Sequence, residues 1–262
     1  MAIEKTEALI LRVIPFRDTS KVVTAYTAER GLVSLLAKGV RGPKPRFGAA
    51  LELFAHVDLV YYHRDSRGLQ LVSEAMLLDA YLRLSREAVR YAYGVGVLEF
   101  LLKVLQGQEV PGKLYTLSLR TLEVLETCPR EALAGVFRAF EIKAVSFLGH
   151  RPELFSCVEC GRQADREPGA GFSPRLGGVV CVICSEHVSD ALILSPGLWT
   201  LMRRLLTSTL AEVETDPPSA AAVNGVGRLI EPFLQAHLER YEALRAVRMA
   251  RTLETDRDVV KK

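Results

Sequence analysis

Three features of this 262-residue sequence predict an α+β multidomain protein. Residues 1–76 break into short runs rich in Val, Leu, Tyr and Thr, bounded by Gly, Asp, Pro or Ser, the pattern of β-strands. From Asp79 the apolar period changes from two to three or four, the period of helices. Between two helical stretches, residues 151–190 carry Gly, Pro and four cysteines. The expected division is 1–78 as a barrel, 79–150 as a helical domain, 151–190 as a metal-binding insert and 191–262 as C-terminal helices returning to the helical domain.

The β region holds five runs: ALILRVIPF, KVVTAYTAERG, LVSLLAKGV, LELFAHVDLVYYHRD and GLQLVSEAML. Arg30-Gly31 marks a hairpin turn, and Arg64 to Gly68 a second turn-prone break. Five short strands at this spacing suggest closure, which removes exposed sheet edges. An OB-like barrel is the commonest five-stranded answer; a small SH3-like barrel is the alternative.

DAYLRLSREAVRYAYGVGVLEFLLKVLQ, from Asp79, reads as one long buried helix, with Gly94 and Gly96 weakening its centre by about 1 kcal/mol each. Pro111-Gly112 opens a second helix to about Thr127. Pro129 suits the first turn of a third, where its missing N–H has no partner anyway. That helix carries Leu133, Val136, Phe137, Phe140, Ala144, Phe147 and Leu148 on one stripe and ends at Gly149. Ser195 is the expected N-cap of the next, with Pro196 its first helical residue. A final helix starts near Pro217-Pro218-Ser219 and runs to about Leu253, with interruptions expected around Gly225 and Pro232.

Cys157-x2-Cys160 and Cys181-x2-Cys184 form the strongest motif. Each pair lets two thiolates reach one ion from a tight knuckle, and two pairs complete a tetrahedron of soft ligands that suits zinc. Gly161 relieves the first turn, and FSPRLGGVV reads as the hairpin that carries the second knuckle back to the first. Four protein ligands leave no open position, so one structural zinc ion is expected and no metal-activated water. Disulfides would need an oxidising compartment, and buried thiols without metal are the other bland reading. His187 is a substitute ligand by position, but four cysteines already fill the shell; Cys128 reads as a small core residue.

The third strand leads into LAKGVRGPKPRFGAAL. Lys38, Arg41, Lys44 and Arg46 fall within nine residues, and no acid occurs between Glu29 and Glu52. The glycines and prolines keep these cations on a loop, and Phe47 adds an aromatic face beside them. Phosphate-neutralising side chains beside an aromatic are what a sequence-tolerant single-strand site needs. A solvated loop with no ligand is the plainer reading. Arg17 and Lys21 could extend the surface, and Tyr61 and Tyr62 divide between core and stacking roles. Arg245, Arg248 and Arg251 share a face of the last helix.

The chain is 49% hydrophobic and 25% charged with net charge +3, the balance of a folded domain with no strong global pull on polyanions. No apolar run approaches a membrane span, and MAIEKTEALILRV lacks a signal-peptide pattern, so a reducing cytoplasm is the expected location. A P-loop, a His-Glu-x2-His motif and a Gly-x-Ser-x-Gly elbow are all absent, and the five histidines show no triad spacing; no catalytic residue is expected.

The loop Gly39-Val40-Arg41-Gly42 … Lys44 … Arg46-Phe47 resembles that of the RecO family. So does the block Phe147-Leu148-Gly149-His150-Arg151-Pro152 … Cys157-Val158-Glu159-Cys160-Gly161 … Phe172-Ser173-Pro174 … Gly177-Gly178 … Cys181-x2-Cys184. The resemblance spans essentially the whole chain. It implies a bacterial, nucleoid-associated mediator that binds single- and double-stranded DNA and anneals complementary strands. Its implied partners are RecR, the C-terminal tail of SSB, RecA indirectly, and RecF as a further one. It makes Lys38, Arg41, Lys44 and Arg46 the DNA-binding residues and the four cysteines zinc ligands. The tail of SSB would dock in the helical region, where Arg120, Arg138 and Lys143 are available cations. A zinc-ribbon RNA-binding or translation factor, a nuclease and a protein-only adaptor are the competing readings.

Overall fold

The computed structural model describes residues 2–40, 47–105, 112–164 and 168–260. They form two compact units, Met1–Glu126 and Thr127–Lys262.

In the first unit, β1 (Ala2–Phe16), β2 (Ser20–Thr27), β3 (Gly31–Ala37), β4 (His56–His63) and β5 (Gln70–Asp79) close a barrel in the order β1-β2-β3-β5-β4. Every pairing is antiparallel except β3 with β5, which is parallel; this is OB-like topology. Gly31, at φ 66°, makes the expected β2–β3 turn, which only a residue free of Cβ strain adopts cheaply. Ala8, Ile10, Val23, Ala25, Leu35, Val57, Leu59 and Tyr61 fill the interior.

One irregularity sets which side chains leave the barrel. The β1–β2 register slips between Ile10, opposite Ala25, and Arg12, opposite Thr24. Leu11 is the extra residue and is buried. A bulge of one residue inverts every later side chain. Ile10 therefore points in, whereas Arg12, Ile14 and Phe16 point out and Val13 packs on the core.

The helix expected from Asp79 begins later. The Asp79 carboxylate accepts the N–H groups of Ala80 (2.6 Å) and Tyr81 (3.0 Å), a local turn that competes with helix. A short 3-10 turn at Leu82–Arg86 follows, and α1 spans Ala88–Val104. At Gly94 a Cβ would stand 3.1 Å from the Phe54 ring, so the glycine serves close packing against the barrel's β3–β4 connection. α2 (Gly112–Thr127) brings Tyr115 edge-on to Tyr26 of β2, centroids 5.1 Å apart. These contacts group both helices with the barrel in the first compact unit, Met1–Glu126.

In the second unit α3 (Leu133–Phe147) is the central helix, and Gly149 ends it at φ 93°. Around it lie α5 (Pro196–Thr207), α6 (Leu210–Thr215) and α7 (Ala220–His237). β6 (Gly171–Ser173), β7 (Gly178–Val180) and β8 (Leu192–Ile193) make a small sheet, α4 (Val182–Ser185) is a single turn and α8 (Arg245–Val260) is last. Ser195 caps α5 by accepting the N–H of Leu198, as expected. The interruptions expected at Gly225 and Pro232 do not occur; α7 runs through both. Gly225 is needed because a Cβ there would meet Leu198 at 2.6 Å, and Pro232 omits one backbone bond within a well-packed helix. The chain breaks instead at extended Leu238 and left-handed Arg240. No helix among the described residues is long and apolar enough to cross a membrane.

Candidate metal centre and nucleic-acid face

The second unit brings the two cysteine knuckles together. Cys157 donates its N–H to Arg162 O (2.8 Å) and its carbonyl accepts the N–H of Gly161 (2.8 Å), where φ is 73°. Cys181 precedes α4, its N–H 3.3 Å from the Cys157 sulfur. The bridge between them is built on Gly178. A Cβ there would lie 2.5 Å from Glu153 O and 2.6 Å from Val158, so only glycine lets β7 run beside residues 153–158. Val158 N–H to Val179 O and Val179 N–H to Glu153 O, both 2.9 Å, zip this seam. The turn after β6 is held by Asp190, whose carboxylate accepts Ser173 Oγ (2.8 Å) and Arg175 N–H (2.9 Å). Trp199 Nε1 and Arg203 Nε both donate to Leu154 O, 2.9 and 2.8 Å, tying α5 to the first knuckle.

All four sulfurs lie within 4.8 Å of one another, and Cys160 and Cys181 are 3.9 Å apart. Zinc–thiolate bonds of about 2.3 Å in a tetrahedron put sulfurs about 3.8 Å apart, so the cluster fits that ion. The electrostatics agree. The main-chain N–H and side chain of Arg162 pull the Cys160 thiol down to about 6, favouring thiolate. Cys184 is pushed up to about 12, chiefly by its hydrogen bond with Cys181. His187 stands exposed and outside the cluster, which is the one group among the described residues able to hold a metal ion. Cys128 is buried.

On the barrel, Lys38 follows β3 and is exposed. Val40 N–H donates to Thr19 O (2.8 Å), clipping this loop to the β1–β2 loop. That second loop exposes Arg17 at φ 53°, its guanidinium 5.2 Å over the Phe16 ring. Arg41, Lys44 and Arg46 lie outside the described residues. Phe47 is half-buried and packs on the barrel core. Lys21 is 14% exposed and paired with Glu52. Tyr61 is core and Tyr62 half-buried.

The other cations named from the sequence are engaged inside the second unit or with near neighbours. Arg138 is buried and paired with Glu141; Lys143 Nζ donates to Leu206 O at 2.8 Å; Arg120 pairs with Glu123 at 2.6 Å. Arg248 and Arg251 line a cleft with Arg138, Glu141 and Glu231. Sequence reasoning missed Arg12 and Ile14, because period-two reading from Ile10 turns both inward. It also passed over Arg64 and Arg67, exposed on a β4–β5 loop that Gln70 organises through bonds to the Arg64 and Arg67 carbonyls.

An OB-like barrel, a helical unit and a four-cysteine cluster place the chain among multidomain OB-barrel proteins; OB-folds in general carry oligonucleotides on the β2–β3 face and the β1–β2 and β4–β5 loops. The family model for Recombination protein O N terminal matches residues 1–81, and that for Recombination protein O C terminal matches 85–245. The DNA repair protein RecO of Symbiobacterium thermophilum is 34% identical over 244 residues, 92% of this chain and 94% of that one. That of Heliobacterium modesticaldum is 31% identical over 209 residues, covering 79% and 74%. That of Rubrobacter xylanophilus is 30% identical over 239 residues, covering 91% and 92%. The chain belongs to the RecO family and so to DNA repair and recombination.

Proposed function

We propose that this protein is a non-enzymatic recombination mediator that binds single- and double-stranded DNA and anneals complementary strands. The observation that carries this is the closed barrel whose β1–β2 and post-β3 loops, clipped together by Val40 and Thr19, expose Arg17 and Lys38 on one end. Arg41, Lys44 and Arg46 belong to the same loop sequence and would add to its charge. Two complementary strands repel through their phosphates. Side chains that neutralise several phosphates on each strand lower that barrier and raise local concentration. Base pairing then supplies the free energy, so nucleotide hydrolysis is not required.

With RecR, the protein would help load RecA onto DNA coated by SSB, engaging the C-terminal tail of SSB, with RecF as an additional partner; family membership supports these roles. Cys157, Cys160, Cys181 and Cys184 would hold one zinc ion, which supplies a structural crosslink when bound and no reactive position. Residues 1–78 would be the nucleic-acid-binding barrel, and work would take place in the bacterial cytoplasm.

The test is annealing of complementary oligonucleotides without nucleotide, bare and coated with SSB. The protein should accelerate pairing of both. Affinity for single strands should fall with salt at a log–log slope of about 0.7 per phosphate contacted. Replacing Lys38, Arg41, Lys44 and Arg46 with Ala should weaken binding and flatten that slope. Strands that pair at their unaided rate across low ionic strengths would sink the proposal; preference for RNA over DNA competitors would redirect it to RNA binding.

A further inference from the structure

The four sulfurs of the metal cluster are unequally shielded. Cys157 is 2% exposed, and its sulfur accepts the Cys181 N–H at 3.3 Å. Cys181 and Cys184 are half-buried, whereas Cys160 is exposed. The turn that carries Cys160 is open to solvent. Its neighbours Glu159, Gly161, Arg162 and Gln163 are all exposed, and a Cβ on Gly161 would meet nothing within 4 Å. The Arg162 side chain hydrogen-bonds the Cys160 sulfur and sets a positive charge beside it. The Cys181 sulfur lies 3.9 Å from that of Cys160, on an extended residue ahead of α4. Cys128, the fifth cysteine, is 1% exposed and outside the cluster.

A thiolate is the nucleophile toward peroxide, so a sulfur that solvent reaches beside a cation is where oxidant reacts first. A structural zinc ion needs all four of its cysteines, and a site that loses two holds it weakly. We propose that Cys160 is an oxidation site for hydrogen peroxide, with Cys181 as its resolving thiol, which makes the metal staple reversible. The Cys160 sulfur attacks one peroxide oxygen. The O–O bond breaks, the sulfur is oxidised to sulfenic acid, and hydroxide leaves and takes up a proton as water. The Cys181 sulfur then attacks the Cys160 sulfur, the S–O bond breaks, and a second hydroxide leaves as water with a second proton. Two thiolates have then given two electrons to one peroxide and formed one disulfide. The sulfurs close from 3.9 Å to about 2.05 Å, a movement for which the open turn at Gly161 has room. Cys157 and Cys184 remain as two ligands of four, and the site gives up its ion. A dithiol reductant reverses the oxidation. The proposal rests on the metal reading above and adds a redox chemistry to it.

The experiment treats zinc-loaded full-length protein with hydrogen peroxide and follows free zinc with a chromogenic chelator too weak to strip untreated protein. Thiols are blocked by alkylation at stepped times and located by mass spectrometry. Cys160 should be modified first, the Cys160–Cys181 disulfide should form as about one zinc per chain is released, and Cys128 should stay reduced. Dithiothreitol followed by zinc should restore the starting state. Arg162→Gln keeps all four ligands; it should slow zinc release several-fold and leave the zinc content of untreated protein at wild type. First modification at Cys157 or Cys184, a disulfide that leaves out Cys160, release at the wild-type rate in Arg162→Gln, or reaction of all five cysteines together overturns the proposal and leaves the metal site standing. So does zinc retained, with Cys160 reduced, at peroxide concentrations that oxidise a free Cys-x2-Cys peptide. Full-length protein that takes up no zinc removes the metal reading and the oxidation site with it.

Discussion

At Gly178 no side chain fits, because Glu153 O and the Val158 side chain occupy the space at 2.5 and 2.6 Å. The site can relieve that overlap only by moving main chain, and main chain here joins the two cysteine knuckles. Gly178→Ala should therefore destabilise the second unit by about 2 kcal/mol or more, read as a drop of several degrees in its thermal midpoint. A midpoint equal to wild type would show that the seam can open at no cost. By contrast Gly149 and Gly161 have open space where a Cβ would go but sit at φ 93° and 73°, so backbone strain alone makes them glycines. The left-handed Arg17 bears such strain with a side chain attached, which holds its guanidinium at the tip of the β1–β2 loop. The cysteine spacing was legible from the sequence, since a knuckle is a local structure. The packing of Phe47 on the core and the pairing of Lys21 with Glu52 were not, since each depends on what the fold brings opposite.

At the scale of elements, the β6–β7 hairpin is fastened by a carboxylate. Burial draws Asp190 upward, but the Arg175 N–H and the Ser173 hydroxyl outweigh it and hold the carboxyl below its ordinary value. A carboxylate depressed in the folded state contributes stability above its unfolded pKa, about 3.9, and the contribution vanishes as pH falls through the lower folded value. Asp190→Asn should lower stability at neutral pH and flatten its acid-side decline below about pH 4, measured by urea unfolding at stepped pH. An unchanged pH profile would mean that the carboxylate is not linked to folding. The bulge in β1 shows the limit of pattern reading for elements. Alternation locates a strand from its residues, but a single extra residue at Leu11 exchanges inside for outside from Arg12 onward. The same holds for α7, where Gly225 and Pro232 read as breaks until Leu198 is seen to need the space.

For the whole molecule, the clearest expectation concerns metal. The second unit joins its cysteine knuckles through a seam of short strands and places Trp199 and Arg203 against Leu154, so a bound ion would add a crosslink to the segments this seam joins. Treatment with a strong chelator should lower the thermal midpoint of the second unit and release about one zinc per chain by metal analysis, while isolated barrel stability changes little. Retention of the midpoint after complete metal removal would assign the stability to the apolar contacts alone.

What the sequence determined by itself was whatever short-range chemistry dictates: five β-type runs, the Gly31 turn, the Ser195 cap, two cysteine knuckles of fixed spacing and a cation-rich loop. The tertiary structure decided which faces those elements show. It closed the barrel through a parallel β3–β5 pairing of residues far apart in sequence, grouped α1 and α2 with the strands, packed Phe47 on the barrel core, buried Arg138, and turned Arg12, Ile14 and Phe16 outward. The physical reason is that backbone preferences and ligand spacing act over a few residues, whereas register, burial and charge pairing are set by partners supplied from elsewhere in the chain.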